Sequence, residues 1–95
     1  MVKEAKVSEK MKKLLYTTIL NCKTVEDLED LFDDLCTFKE VEQMAQRIES
    51  ARMLADGKTY AEIIEKTEIS SATLSRVSRC VQRGSGGYLK FLPKN

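Results

Sequence analysis

TYAEIIEKTEISSATLSRVSRCVQR, spanning residues 59–83, contains two short helical patterns joined by a tight turn. Thr59 with Glu62 three residues on is a Thr-x-x-acid helix start. Ile63 and Ile64 then face inward, with Tyr60 packing beside them. A turn of about three residues around Glu68 and Ile69 leads to Ser70, a good N-cap for a second helix that ends near Gly84. Two short helices with this spacing make a helix-turn-helix, whose second helix lies in the major groove of DNA.

On a wheel of about 100° per residue, Leu74, Val77 and Val81 form one stripe of the second helix. Ala72, Arg76, Arg79 and Arg83 cluster on the opposite side, Ser75 sits at their edge, and Ser71 and Thr73 occupy the first turn. Small and hydroxylated side chains suit base edges, while guanidinium groups neutralise phosphates or fork onto guanine. Arginines at i, i+3 and i+7 with no acid beside them repel by a few tenths of a kcal/mol per pair, a cost relieved when an anionic ligand arrives. Ser70, Ser71, Ala72, Thr73, Ser75, Arg76, Arg79 and Arg83 are therefore the expected DNA-binding residues.

Charge divides along the chain in the same sense. Residues 1–23 hold six lysines against Glu4 and Glu9, and residues 24–68 hold five bases against thirteen acids. Residues 69–95 hold Arg76, Arg79, Arg83, Lys90 and Lys94 with no acid. The net charge of +1 thus conceals a basic end that coincides with the helix-turn-helix.

Upstream, three amphipathic helices are expected. Helix A runs from an N-cap at Ser8 to about Cys22, burying Met11, Leu14, Leu15, Thr18, Ile19 and Cys22. Helix B opens at Thr24 with Asp27 and buries Val25, Leu28, Leu31, Phe32 and Leu35. Helix C starts at Thr37 with Glu40 and buries Val41, Met44, Ala45, Ile48, Ala51, Leu54 and Ala55. Gly57 closes it. After GSGG (residues 84–87), YLKFLP adds at most one short final turn before Pro93. The expected architecture is all-α, with five to six helices in a single domain over residues 1–95. It comprises dimerisation helices in 1–57, a helix-turn-helix in 58–84 and a short tail in 85–95. Three wide apolar stripes exceed what one small monomer covers, so a homodimer is expected.

Other classes are excluded or weakened. There is no histidine, glycine-rich phosphate loop or nucleophile elbow, so the chain does not read as an enzyme. Helix B's acids, Glu26, Asp27, Glu29, Asp30, Asp33 and Asp34, fan out opposite its leucines and read as a solvated face. Cys22, Cys36 and Cys80 lack a CxxC spacing, which argues against a metal site. They read as small buried apolar residues in a reducing cytosol. The N-terminus is too charged for a signal peptide and no apolar run approaches a membrane span, so the location expected is cytoplasmic.

ISSATLSR resembles the turn and recognition helix of many bacterial regulators. The span from about Cys36 to Cys80 resembles the tryptophan repressor superfamily, and most closely its small YerC/YecD-type members of Gram-positive bacteria. The matching pieces are Thr37-Phe38-Lys39-Glu40, Arg47, Gly57 and SSATLSR at residues 70–76. This resemblance implies an intertwined homodimer in which helices A to C of both chains share a core. Helices D and E, the pair read above, would be presented to half of a palindromic operator, as in a transcriptional repressor. It also implies that Ser71, Ala72 and Ser75 face base edges and that Thr73 meets a phosphate.

Thr37, Arg47 and Arg76 match positions around the tryptophan effector of that family, but Val77 replaces a glycine lying against the indole and Cys80 replaces a serine. A valine there overpacks the slot at a typical cost of about 1–3 kcal/mol, which argues against tryptophan. Glu68 stands where many such turns carry glycine, so a local departure in turn geometry is expected. Ile64 stands where many have alanine. The partners implied are double-stranded DNA and a second copy, with no membrane, metal or cofactor. Two alternatives stay open: an interaction module whose basic head docks on an acidic protein, and a sensor of another small molecule at Thr37, Arg47, Arg76, Val77 and Cys80.

Overall fold

In the computed structural model, which describes residues 2–94 and the side chains of residues 8–94, every regular element is an α-helix. In chain order these are α1 (Val2–Leu20), α2 (Val25–Leu35), α3 (Phe38–Ala55), α4 (Tyr60–Thr67), α5 (Ser71–Arg83) and α6 (Gly87–Phe91). The all-α expectation holds, with six helices among the described residues. The chain divides into two compact units, Met1–Phe38 and Lys39–Asn95.

The first unit contains α1 and α2. Ser8 is not the start of α1, because the preceding VKEAKV is rich in good helix formers and the helix begins at Val2. It ends at Leu20 rather than Cys22, where the Cys22 N–H turns back onto the Ile19 carbonyl at 3.0 Å. Among the described side chains of this unit none is buried. Leu15, Thr18, Ile19, Cys22, Leu28, Leu31 and Phe32 are half-buried, but Met11, Leu14, Val25 and Leu35 are exposed, Leu14 by 68%. The expected apolar stripes are therefore present but uncovered along one edge.

Helix α2 starts as its sequence dictates. Thr24 Oγ1 accepts from the Asp27 N–H at 3.0 Å. The Asp27 carboxylate reaches one residue beyond the cap and accepts from the Lys23 N–H at 2.9 Å. That backbone donor is the main reason the Asp27 carboxyl lies below its ordinary pKa of 3.8; desolvation opposes it, and donors from Thr24 add to it.

The second unit contains α3 to α6 around one apolar cluster: Ala51 and Met53 from α3, Ile63 from α4, Ile69 from the turn, and Leu74 and Val77 from α5. Leu54, Ile64, Val81, Tyr88 and Leu92 pack against it. The buried face of α3 differs from the expected stripe. Ser50, Ala51 and Met53 are buried, while Ala45, Ile48 and Ala55 are exposed. The helix-turn-helix packs on the C-terminal half of α3 along a face turned by about one residue, roughly 100°, from the most apolar one.

Gly57 ends α3 at φ 83°, a conformation that costs glycine little. Its N–H bonds the Leu54 carbonyl and the next N–H, from Lys58, bonds Met53, both at 3.0 Å, which satisfies two terminal carbonyls in a Schellman motif. The chain then enters α4 in a fresh direction. At the far end of the unit, the expected final turn is a short helix, α6, seated on the cluster through Tyr88 and Leu92.

Candidate nucleic-acid interface

The placement of α5 depends on how α4 begins and ends. Thr59 Oγ1 accepts from the Glu62 N–H at 3.2 Å and the Glu62 carboxylate accepts from the Thr59 N–H at 3.0 Å, a reciprocal capping box. At its other end Glu68 adopts φ 61° and ψ 19°. The expected departure in turn geometry is thus corrected: the backbone takes the left-handed turn that glycine would favour, and glutamate bears the strain. Neighbouring bonds hold it there. The Thr67 hydroxyl donates to the Ile63 carbonyl at 2.8 Å and accepts from the Ile69 N–H at 3.2 Å. The Gln46 side chain, from α3, donates to the Thr67 carbonyl at 3.1 Å. Ile69 sits in the middle of the turn yet is buried in the cluster, so it anchors α5 from below.

Helix α5 starts on Ser70, whose Oγ accepts from the Thr73 N–H at 3.1 Å and whose hydroxyl donates to Thr73 Oγ1 at 2.9 Å. Leu74 and Val77 are buried and Val81 is half-buried, as the wheel indicates. Ser70, Ser71, Ala72, Ser75, Arg76, Arg79 and Arg83 are exposed, and Thr73 is half-buried. The expected contact residues therefore share one outward side of a helix whose inward side is locked into the core.

The structure also separates them. Ser70 and Thr73 are joined at the helix start. Ser75, Arg79 and Arg83 line a groove of about 560 Å³ together with Tyr60, Ser78, Cys80 and Gln82. Arg76 does not line that groove. Sequence reasoning missed Tyr60 and Ser78. Tyr60, expected to pack beside Ile63 and Ile64, is instead 41% exposed in the first turn of α4. Ser78 is buried despite its polarity, and its hydroxyl accepts from Gln82 Nε2 at 3.3 Å. Its place four residues after Leu74 was the available signal.

The proposed effector positions differ in exposure. Val77 is only 2% exposed and belongs to the apolar cluster. Arg47 is half-buried, and Thr37 and Arg76 are exposed. Cys80 is exposed and borders an apolar groove of about 510 Å³ with Ile48, Tyr88, Phe91 and Leu92. Cys22 and Cys36 are half-buried, so the expectation of three buried cysteines is corrected as well. Cys80 lies three residues after Val77, at the flank of the core stripe.

Comparison with known proteins adds four findings. The sequence profile of the Trp repressor protein family matches residues 9–95. YerC, an uncharacterised protein of Bacillus subtilis strain 168, is 47% identical over 74 residues, covering 78% of this chain and 71% of YerC. The fold resembles that of a candidate Trp repressor from Staphylococcus aureus, with a TM-score of 0.83 and 34% identity over 90% of each chain. It equally resembles a TrpR-like protein from Eubacterium eligens ATCC 27750, with a TM-score of 0.83 and 38% identity over 95% of this chain and 99% of that one.

Proposed function

We propose a function from one premise: the chain belongs to the Trp repressor family. It acts as a sequence-specific DNA-binding transcriptional regulator, a repressor, and not as an enzyme. Two copies form an intertwined homodimer through residues 1–57, and each presents residues 58–84 to half of a palindromic operator. The two α5 helices then enter successive major grooves about 34–36 Å apart.

One observation carries this reading. Helix α5 buries Leu74 and Val77 while exposing Ser71, Ala72, Ser75, Arg76, Arg79 and Arg83 on a segment without acids. The outward face holds small groups for base edges and fixed positive charge for phosphates. Thr73 fits the same role. Its oxygen accepts from Ser70, which leaves its own hydrogen available to donate to a phosphate oxygen. The uncovered apolar residues Met11, Leu14, Leu20, Val25 and Leu35 support the dimer, since exposed apolar patches of that kind mark association surfaces. The burial of Val77 supports a protein that does not answer to tryptophan.

Among the described residues no helix is long and apolar enough to cross a membrane, and no cluster of acids or cysteines is arranged for a metal ion. Selection of bound duplexes from random or genomic DNA tests the reading. Enrichment of a palindrome is expected, whereas no enrichment at low salt together with co-purification of one acidic protein would favour the interaction-module alternative.

A further inference from the structure

The groove between the first turn of α4 and the outer side of α5 has a composition the wheel did not anticipate. Tyr60 from α4 and Ser75, Arg79, Cys80 and Arg83 from α5 line it. Ser78, 7% exposed, also lines it, and its hydroxyl is tied to Gln82. No acid lines it. The nearest carboxylate on α4, that of Glu62, is engaged with the Thr59 N–H and borders a different depression with Lys58 and Lys66. A concave surface of mixed polarity with two guanidinium groups, a phenol and no acid favours an anion. It is continuous with the exposed side of α5, so a strand lying along that helix passes through it.

We infer that this groove seats a backbone phosphate diester of the bound duplex, with Tyr60 as its contact on α4. The phenol O–H donates to a phosphate oxygen, and Arg79 and Arg83 neutralise the charge. Arg76, outside the groove, is left for a neighbouring phosphate or a base edge. The inference rests on the DNA-binding reading and adds to it a residue from the helix before the recognition helix. It also divides the arginines into a clamped pair and a separate third. Contacts to the backbone position a protein without reading sequence, so Tyr60 sets the tilt of α5 in the groove and not the choice of bases.

The test is equilibrium binding of the full chain, measured by fluorescence anisotropy on a selected operator duplex and on a scrambled one. Tyr60→Phe keeps the ring and removes the donor. It is expected to weaken binding roughly threefold to tenfold, equally on both duplexes, with an unchanged salt dependence because a neutral group displaces no counterion. Arg79→Ala should lower the slope of log K against log salt by about 0.9. The Tyr60→Phe/Arg79→Ala pair should lose less than the two singles multiplied, because both act on one phosphate. If Tyr60→Phe binds like the parent while Arg79→Ala binds worse, Tyr60 is no contact and the DNA reading survives. If neither Arg79→Ala nor Arg83→Ala weakens binding, the DNA reading itself fails. A free phosphorylated molecule offers the same chemistry, so calorimetry with pyrophosphate is the second arm. No saturable binding below millimolar concentration is expected, and micromolar binding lost in Tyr60→Phe would assign the groove to a small anion instead.

Discussion

The side-chain amide of Gln46, in the middle of α3, donates to the backbone carbonyl of Thr67 at 3.1 Å and ties the end of α4 to the helix beneath it. Thr67 lies next to Glu68, the residue that turns the chain toward α5, so this one bond helps set the angle of the helix-turn-helix. Replacing Gln46 by alanine leaves a half-buried carbonyl without its donor and is expected to cost about 1 kcal/mol. Denaturant unfolding of Gln46→Ala checks it, and an unchanged midpoint would remove the bond from this account.

Glu68 is the sole non-glycine residue among those described with a positive φ, at 61°. A left-handed backbone costs an ordinary residue roughly 1–2 kcal/mol, part of which glycine returns through its looser unfolded chain. Glu68→Gly is expected to stabilise the protein by about 0.5–1 kcal/mol, and Glu68→Val to destabilise it. Thermal melts of the two variants should move in opposite directions. A common downward shift would mean that the carboxylate itself stabilises the turn.

Ser50 is fully buried on α3, and its hydroxyl has no hydrogen-bond partner among the described residues. A buried unpaired hydroxyl costs about 1–3 kcal/mol on protein scales. Ser50→Ala is accordingly expected to raise stability by about 1 kcal/mol, the reverse of an ordinary core truncation. A lowered unfolding midpoint would show that the hydroxyl is satisfied in solution.

Asp27 supplies the pH dependence of α2. The Lys23 N–H stabilises the ionised carboxylate, so its folded pKa lies below 3.8. The contribution is present above the ordinary carboxylate range and is lost as pH falls through the lowered value. Titration of the Asp27 side-chain carbon resonance should give a midpoint below 3.8, and Asp27→Asn should flatten the corresponding part of the acid limb. A midpoint above 3.8 would contradict the bond.

Much of this was legible in the sequence because short-range chemistry controls it. The caps at Thr24, Thr59 and Ser70 each satisfy a backbone donor three residues away, so a Thr or Ser followed by the right spacing places a helix start. The Leu74 and Val77 stripe followed from helical period, as did the exposed arginines. What escaped was tertiary in origin. The buried face of α3 depends on where α4 and α5 press against it, so Ser50 and Met53 went inside while Ile48 stayed out. The stripes of α1 and α2 were real, yet periodicity says only that a face is apolar and not what covers it. Glu68 shows the same limit in backbone form: propensity forbids the turn, but Gln46, Thr67 and Ile69 together enforce it. Within the site, the wheel grouped all three arginines, whereas the groove with Tyr60 takes only Arg79 and Arg83.

The central claim is that the outer face of α5 binds the phosphates and bases of duplex DNA. The most direct measurement is the affinity of the full chain for a selected palindromic duplex between about 50 and 200 mM salt, with Arg79→Ala and Arg83→Ala alongside. The account predicts a steep linear fall of log K with log salt, shallower by about 0.9 for each arginine removed. Absence of duplex binding at the lowest salt, or a slope that neither substitution changes, would contradict it.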